Sequence, residues 1–317
     1  MQKLKTDYSF IQSCLENNRI FVAFSKPGET YFTLMIQKEP EVSTISDFRE
    51  LKHKKGFVFA PFDIDSLHKI YVIDNHYTFS ENEVIPDNLY NTLKTYKSGI
   101  KYPGKPYFCS RNEYMDQFNI FHKNLKRHTM HKVVLSRIIP YELVPGFEVS
   151  GLFKEINAAY PDAFNYVINI PETGTWIGAT PEEFLKIDGE SASTVSLAGT
   201  QKDQGRLLSE VLWNTKEVSE QQYVTDYIKT VLEHFVHCDR LKMEKQTVKA
   251  GNMLHLKTQF SFPSAMIKKN PGKFIDMLHP TPAVCGLPKF KALDLIRETE
   301  IHDREYYSGF LGPVDIE

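Results

Sequence analysis

At least one glutamate continues the apolar face of a long predicted helix. Glu220 lies one turn before Val224, the first residue of an apolar stripe, and Glu217 lies three residues before Glu220. A carboxylate on a buried face must be paired, protonated or bound to a metal. The alternative is that the helix emerges into solvent at this end and Glu220 is an ordinary surface residue. The stripe consists of Val224, Tyr227, Ile228, Val231, Leu232 and Phe235.

A lysine opens the apolar segment KVVLSRII at 132–139. Burial beside Val133, Val134 and Leu135 would lower the pKa of the Lys132 amine and make it a usable base. The local residues alone favour the alternative, a solvated lysine that protects a strand edge from pairing with another chain.

A pair of adjacent glutamates follows the small residues of GATP. Side chains alternate along an extended segment, so one of Glu182 and Glu183 should face inward. The segment SLAGTQ offers Gly199 and Thr200, whose backbone N–H groups could cradle a carboxylate, although a simple turn explains the same residues. His255 and His279 are isolated histidines, which are more often structural than catalytic.

The elements that would position these groups mix strands and helices without regular alternation. This pattern favours an α+β fold with large, mainly antiparallel sheets. The predicted strands cover 20–26, 31–37, 57–61, 132–139, 164–170, 175–178 and 254–260, and the predicted helices cover 113–127, 147–159, 207–236 and 289–299. The proline-containing stretch 84–106 is the predicted connection between an N-terminal part and the rest.

Composition excludes several classes of function. The 317 residues carry 38 Lys and Arg against 40 Asp and Glu, so no basic excess exists to bind nucleic acid or a membrane surface. The four cysteines form no CxxC pair, which fits a reducing compartment. Without an apolar leader or a long apolar run, the sequence predicts a cytoplasmic protein.

Together and in order, several segments resemble the chorismate-utilising enzymes, which include isochorismate, anthranilate, aminodeoxychorismate and salicylate synthases. Within that group the likeness to isochorismate synthases is greatest, because Lys132 stands where water-using members carry lysine and HPTPAVCG matches their version. Salicylate synthases share the lysine and are the nearest alternative. The matching segments are KVVLSR, IGATPEEFL, SLAGT, NTKEVSEQQYV, LHLKT, LHPTPAVCGLP and HDREYYSGFLG.

The resemblance implies a role for each matching residue. Lys132 would be the general base that activates water, Glu182 the general acid for the departing hydroxyl, and Glu220 a ligand of Mg²⁺. In place of Gln221, relatives often carry histidine. The resemblance implies contacts between the substrate, chorismate, and Gly199, Thr200, His255, Ala283 and Tyr307.

The resemblance also implies an overall organisation. We expect an α/β sandwich of two large antiparallel sheets with outer helices, like component I of anthranilate synthase, in a monomer or weak homo-oligomer. Residues 1–317 would form one domain, with an N-terminal part of the sheets at 1–106 and a catalytic part at 107–317.

Relatives continue beyond the GFLGPVD region with a helix that carries a second Mg²⁺ carboxylate and a lysine. The catalytic part is therefore expected to be incomplete at its C-terminus, with weak binding, poor turnover and an exposed sheet edge. A non-catalytic chorismate-binding remnant is the alternative from outside the enzymes. Whether isochorismate would feed menaquinone or siderophore synthesis stays open.

Overall fold

The structure, a computed structural model, describes residues 5–87, 89 and 108–315, and it confirms the α+β class. The strands are β1 (Phe21–Ser25), β2 (Thr33–Ile36), β3 (Ser43–Ile45), β4 (Lys55–Ala60), β5 (Ile70–Asp74), β6 (Tyr77–Ser80), β7 (Lys132–Val133), β8 (Phe164–Ile170), β9 (Gly174–Thr180), β10 (Lys186–Asp188), β11 (Ser191–Lys202), β12 (Lys242–Ala250), β13 (Met253–Pro263), β14 (Gly286–Leu287) and β15 (Phe310–Asp315). The helices are α1 (Tyr8–Glu16), α2 (Arg111–Lys126), α3 (Val149–Ala159), α4 (Thr215–Glu233), α5 (Ala265–Lys268), α6 (Pro271–Leu278) and α7 (Lys289–Thr299).

All strand pairs described are antiparallel. The sheets run β6-β2-β1-β8-β9, β15-β4-β5-β3 and β10-β11-β13-β12, and β14 and β7 form a short two-stranded ladder. The first two sheets each combine N-terminal strands with strands from later in the sequence, because β1 pairs with β8 and β4 pairs with β15. Much of the predicted connection at 84–106 lies outside the described residues.

Helix α4 packs its apolar stripe against the β11–β13 sheet. Val224, Ile228, Val231 and Leu232 are buried there with Phe260 of β13. The helix begins at Thr215, so the prediction of a start at 207 was wrong. The segment before it contains only a short 3₁₀ turn at Leu208–Glu210, and its leucines stay exposed. A helix gains most of its stability from packing one face, and this segment has no buried face.

The predicted strand 132–139 ends after Val133. Backbone pairing with the β14 segment continues only to the N–H of Val134, which donates to the carbonyl of Cys285 at 2.9 Å. Beyond that point, backbone groups form hydrogen bonds with side chains instead. Arg304 donates to the carbonyl of Val134, and the N–H of Ser136 donates to the carboxylate of Glu300. A segment forms a strand only where a neighbouring backbone pairs with it, and the local sequence pattern could not show where that pairing ends.

The interpretation of the segment SLAGTQ as a simple turn was wrong. The segment lies inside β11, which pairs with β13 along its length and has a β-bulge between Ala198 and Thr200. Gly199 occupies the bulge with φ +66°, a conformation that favours glycine. None of the helices in the described ranges is long and apolar enough to cross a membrane.

Candidate active site

The amine of Lys132 is buried at the start of β7 and held by backbone carbonyls. Its Nζ donates to the carbonyl oxygens of Pro282 and Ala283 at 2.7 and 3.3 Å, and lies 3.6 Å from Oε1 of Glu220. Only 8% of the Lys132 surface is exposed. The amine therefore sits between the turn before β14 and the first half of α4.

Burial shifts the pKa of Lys132 in the direction that a base requires. Desolvation lowers its pKa, while the negative charges of Glu220 and Glu182 oppose that shift. A lysine with a lowered pKa exists more often as a neutral amine, which can accept a proton.

Glu182 lies on the extended segment after β9, within electrostatic reach of Lys132. Burial raises its pKa to about 7, and the positive charge of Lys132 limits the rise. Its neighbour Glu183 has a different environment, since its Oε1 accepts a 2.6 Å hydrogen bond from Ser193 of β11. The two glutamates thus have separate surroundings, and Glu182 can remain protonated near neutral pH.

Helix α4 supplies two carboxylates that lie one turn apart. Glu220 is partly exposed beside Lys132, and Glu217 is more buried, with 13% of its side chain exposed. Oε2 of Glu217 is buried and has no hydrogen-bond partner among the described residues. Sequence reasoning placed Glu217 on the helix but gave it no role. The signal available was its three-residue spacing from Glu220.

These two carboxylates fit a bound Mg²⁺. Mg²⁺ is typically held by one or two protein carboxylates and completes its shell with water or substrate oxygens. In the ranges that the structure describes, no three His, Cys, Asp or Glu side chains form a group that could hold a metal. The first turn of a helix also favours negative charge, which suits Glu217. Magnesium binding by Glu220 stays a prediction, to which Glu217 is added.

The bulge of β11 lies directly against α4. A Cβ atom placed on Gly199 would come within 2.9 Å of the carbonyl oxygen of Glu217, so only glycine permits this approach. The Thr200 hydroxyl is hydrogen-bonded to Nδ1 of His255 at 3.1 Å. The predicted substrate contacts at 199, 200 and 255 therefore lie together beside the acidic end of α4.

The side chain of Gln221 forms hydrogen bonds that link helix α4 to strands β11 and β13. The side chain is buried, and its Oε1 accepts a hydrogen bond from the N–H of Ala198 at 2.8 Å. Its Nε2 lies within 2.8–3.3 Å of four acceptors, which are the carbonyl and hydroxyl of Ser196 and the hydroxyls of Thr225 and Thr258. The amide thus fixes the position of the bulge relative to Glu217 and Glu220.

The remaining predicted residues have different positions. Ala283 contributes its carbonyl oxygen to Lys132. Tyr307 lies in the turn that follows Arg304 with 59% of its surface exposed, and its substrate contact stays a prediction. His279 is structural, as isolated histidines usually are. It is buried, its Nε2 lies 3.0 Å from the carbonyl of Pro61, and burial lowers its pKa to about 4.

Comparison with known sequences shows the family to which the chain belongs. Residues 80–317 match the family model described as "Chorismate binding enzyme". The isochorismate synthase EntC of Escherichia coli strain K12 is 31% identical over 192 residues, which cover 59% of this chain and 49% of that protein. The chain thus spans about half the length of that curated relative. It belongs to the chorismate-binding enzymes.

Solved structures share the fold. DhbC from Bacillus anthracis matches 96% of this chain and 85% of its own with a TM-score of 0.74 at 20% identity. Anthranilate synthase component I from Streptococcus pneumoniae TIGR4 matches 94% of this chain and 79% of its own with a TM-score of 0.60 at 14% identity. These matches confirm the predicted α+β fold class and its likeness to component I of anthranilate synthase.

Proposed function

We propose that this chain is an isochorismate synthase, an Mg²⁺-dependent isomerase that converts chorismate to isochorismate. The observation that carries the proposal is the placement of the buried Lys132 amine within electrostatic reach of Glu182. Burial lowers the pKa of the lysine and raises that of the glutamate to about 7. Proton exchange at two sites of one substrate needs such a base and such an acid.

The proposed reaction adds one water and releases another. Lys132 takes a proton from water as the oxygen bonds to one ring carbon. Glu182 gives a proton to the hydroxyl that departs from another ring carbon, and that group leaves as water. Each positioned acid or base typically contributes about 10²–10⁴-fold to the rate.

The other residues of the site would bind and orient chorismate. Glu217 and Glu220 would hold Mg²⁺, which supplies positive charge to offset a substrate carboxylate. The bulge at Gly199 and Thr200 lies against Glu217, so its backbone groups are suited to contact the same carboxylate. Pro282 and Ala283 hold the Lys132 amine in place through their carbonyl oxygens.

The test is incubation with chorismate and Mg²⁺, followed by chromatographic separation of products, beside the Lys132→Ala variant. Isochorismate that is absent from the variant reaction is the expected result. Salicylate with pyruvate would replace the proposal with a salicylate synthase. Thermal stabilisation by chorismate without any product would contradict catalysis and identify a binding protein.

A further inference from the structure

A buried ionic cluster lies behind the strand that carries Lys132. It consists of Glu300 and Arg304, whose side chains are each 2% exposed, together with Ser136 and His302. Arg304 binds both carboxylate oxygens of Glu300, with Nε 2.8 Å from Oε2. Glu300 also accepts hydrogen bonds from the N–H and the hydroxyl of Ser136 at 2.8 and 3.0 Å. The Ser136 hydroxyl in turn lies 2.8 Å from Nε2 of His302.

The guanidinium of Arg304 joins the segment that carries Lys132 to the segment whose carbonyl oxygens accept from the Lys132 amine. One terminal nitrogen donates to the carbonyl of Val134 at 2.7 Å, and the other donates to the carbonyl of Val284 at 2.9 Å. Val134 follows Lys132 by two residues, and Val284 follows directly after Ala283, whose carbonyl accepts from the lysine. The same cation therefore sets the separation of the lysine backbone from its carbonyl acceptors.

We propose that Arg304, oriented by Glu300, is a positioning residue for Lys132 in the reaction proposed above. The two-pronged contact with Glu300 fixes the plane of the guanidinium, so its other donors point in fixed directions. The guanidinium carbon lies 4.3 Å from the ring centroid of Phe62, which packs against the face of the guanidinium. Lysine lacks the planar fork and cannot make all of these contacts at once. This inference rests on the proposed function only for the kinetic consequence and not for the placement of the amine.

The experiment compares Arg304→Lys and Ser136→Ala with the wild-type chain. The Arg19→Lys variant is the control, because Arg19 is a buried arginine beside β1. The first measurement is the rate of acetylation of Lys132 by acetic anhydride, followed by mass spectrometry of peptides. Lys289 is the internal reference, since it is another lysine whose amine donates to backbone carbonyls, including those of Asp276 and Met277.

We expect Arg304→Lys to raise the acetylation rate of Lys132 at least about 3-fold while the rate at Lys289 stays unchanged. Ser136→Ala should change the rate at Lys132 in the same direction by a smaller factor. The second measurement is turnover of chorismate. For Arg304→Lys we expect kcat to fall at least about 10-fold with KM within about 3-fold of wild type, since the base is displaced and the substrate contacts remain.

A general loosening of the protein would give a different result. Equal changes at Lys132 and Lys289, or the same kinetic change in Arg19→Lys, would overturn the positioning role. If Arg304→Lys does not fold, Ser136→Ala decides the question by the same measurements, and an unchanged Lys132 rate then overturns it. If wild type forms no isochorismate but the labelling of Lys132 changes selectively, the proposed function fails while the placement of the amine by Arg304 stands.

Discussion

The Nζ atom of Lys132 lies 3.6 Å from Oε1 of Glu220, so the candidate base and a candidate metal ligand form one ion pair. The contact joins the start of β7 to helix α4, two elements that are far apart in the sequence. Lys216 approaches the other oxygen of Glu220 at 3.9 Å from the solvent side, with its side chain 80% exposed. Glu220 therefore has one buried and one exposed cationic neighbour, and these two lysines form a natural comparison.

Lys132→Ala should reduce the formation of isochorismate by about 10²–10⁴-fold, because it removes the proposed base. Lys216→Ala removes a positive charge near the same carboxylate but leaves the buried amine in place. We expect its kcat to stay within a few-fold of wild type, since an exposed ion pair contributes little. Steady-state kinetics with chorismate and Mg²⁺ measure both. Equal losses in the two variants would mean that charge near Glu220, rather than a base at Lys132, supports turnover.

The raised pKa of Glu182 predicts a pH-dependent stability difference. Burial raises this pKa from an unfolded value of 4.5 to about 7, so the folded chain binds the proton more tightly than the unfolded chain. Its stability therefore falls as pH rises from about 4.5 to about 7. Glu182→Gln removes this dependence and should be more stable than wild type above pH 7, by on the order of 2–3 kcal/mol. Denaturant unfolding at pH 5 and pH 8 measures the difference, and a gap that is the same at both values would contradict the assignment.

Glu217→Gln should separate metal binding from folding. Oε2 of Glu217 is buried without a hydrogen-bond partner in the described ranges, so its negative charge carries a desolvation cost when no metal is bound. In EDTA the variant should therefore be at least as stable as wild type. Added Mg²⁺ should raise the melting temperature of wild type and raise that of the variant much less. If Mg²⁺ stabilises both equally, Glu217 is not a ligand.

Local sequence patterns predicted several elements in which regularly spaced apolar residues form the buried face. The strand at 164–170 and the helix at 289–299 were predicted with their observed bounds, and the stripe of α4 is buried as its spacing indicated. Several strands were missed, among them Ser43–Ile45 and Lys242–Ala250. The second of these is rich in lysine and largely exposed, so its position depends on hydrogen bonds to β13 rather than on burial.

The site could be predicted only as separate segments. The family resemblance predicted roles for Lys132, Glu182 and Glu220. Their proximity depends on the fold and could not be read from the sequence. The roles of Gln221 in holding the bulge and of Arg304 in joining two segments could not be read from the sequence. Each depends on buried hydrogen bonds to backbone groups that are remote in the chain. A polar residue on a helix or in a turn gives no local sign of such partners.

The Gly199→Ala substitution should lower the free energy of unfolding by more than the strain of its positive φ alone. At φ +66° an alanine is strained by about 1–2 kcal/mol, and its Cβ would also meet the Glu217 carbonyl at 2.9 Å. Gly189→Ala is the matched control, since Gly189 has φ +57° with open space around its Cβ position. The free energy of unfolding should fall by about 1–3 kcal/mol more in the Gly199 variant than in the Gly189 variant. The Gly199 variant should also raise KM for chorismate, and an unchanged KM would remove the bulge from the substrate site.

Gln221→Met should test whether the amide holds the bulge in place. Methionine has a similar length but cannot accept from the N–H of Ala198, which would remain buried without a partner at a cost of about 1–3 kcal/mol. Because Ala198 precedes the bulge, the substitution should also weaken binding of chorismate and raise KM. Gln222→Met is the control, since the exposed amide of Gln222 reaches only Asp226 on its own helix among the hydrogen bonds of the described residues. Its stability and KM should stay close to wild type. A Gln221 variant that loses stability while keeping a normal KM would show that the amide supports the fold without setting the geometry of the site.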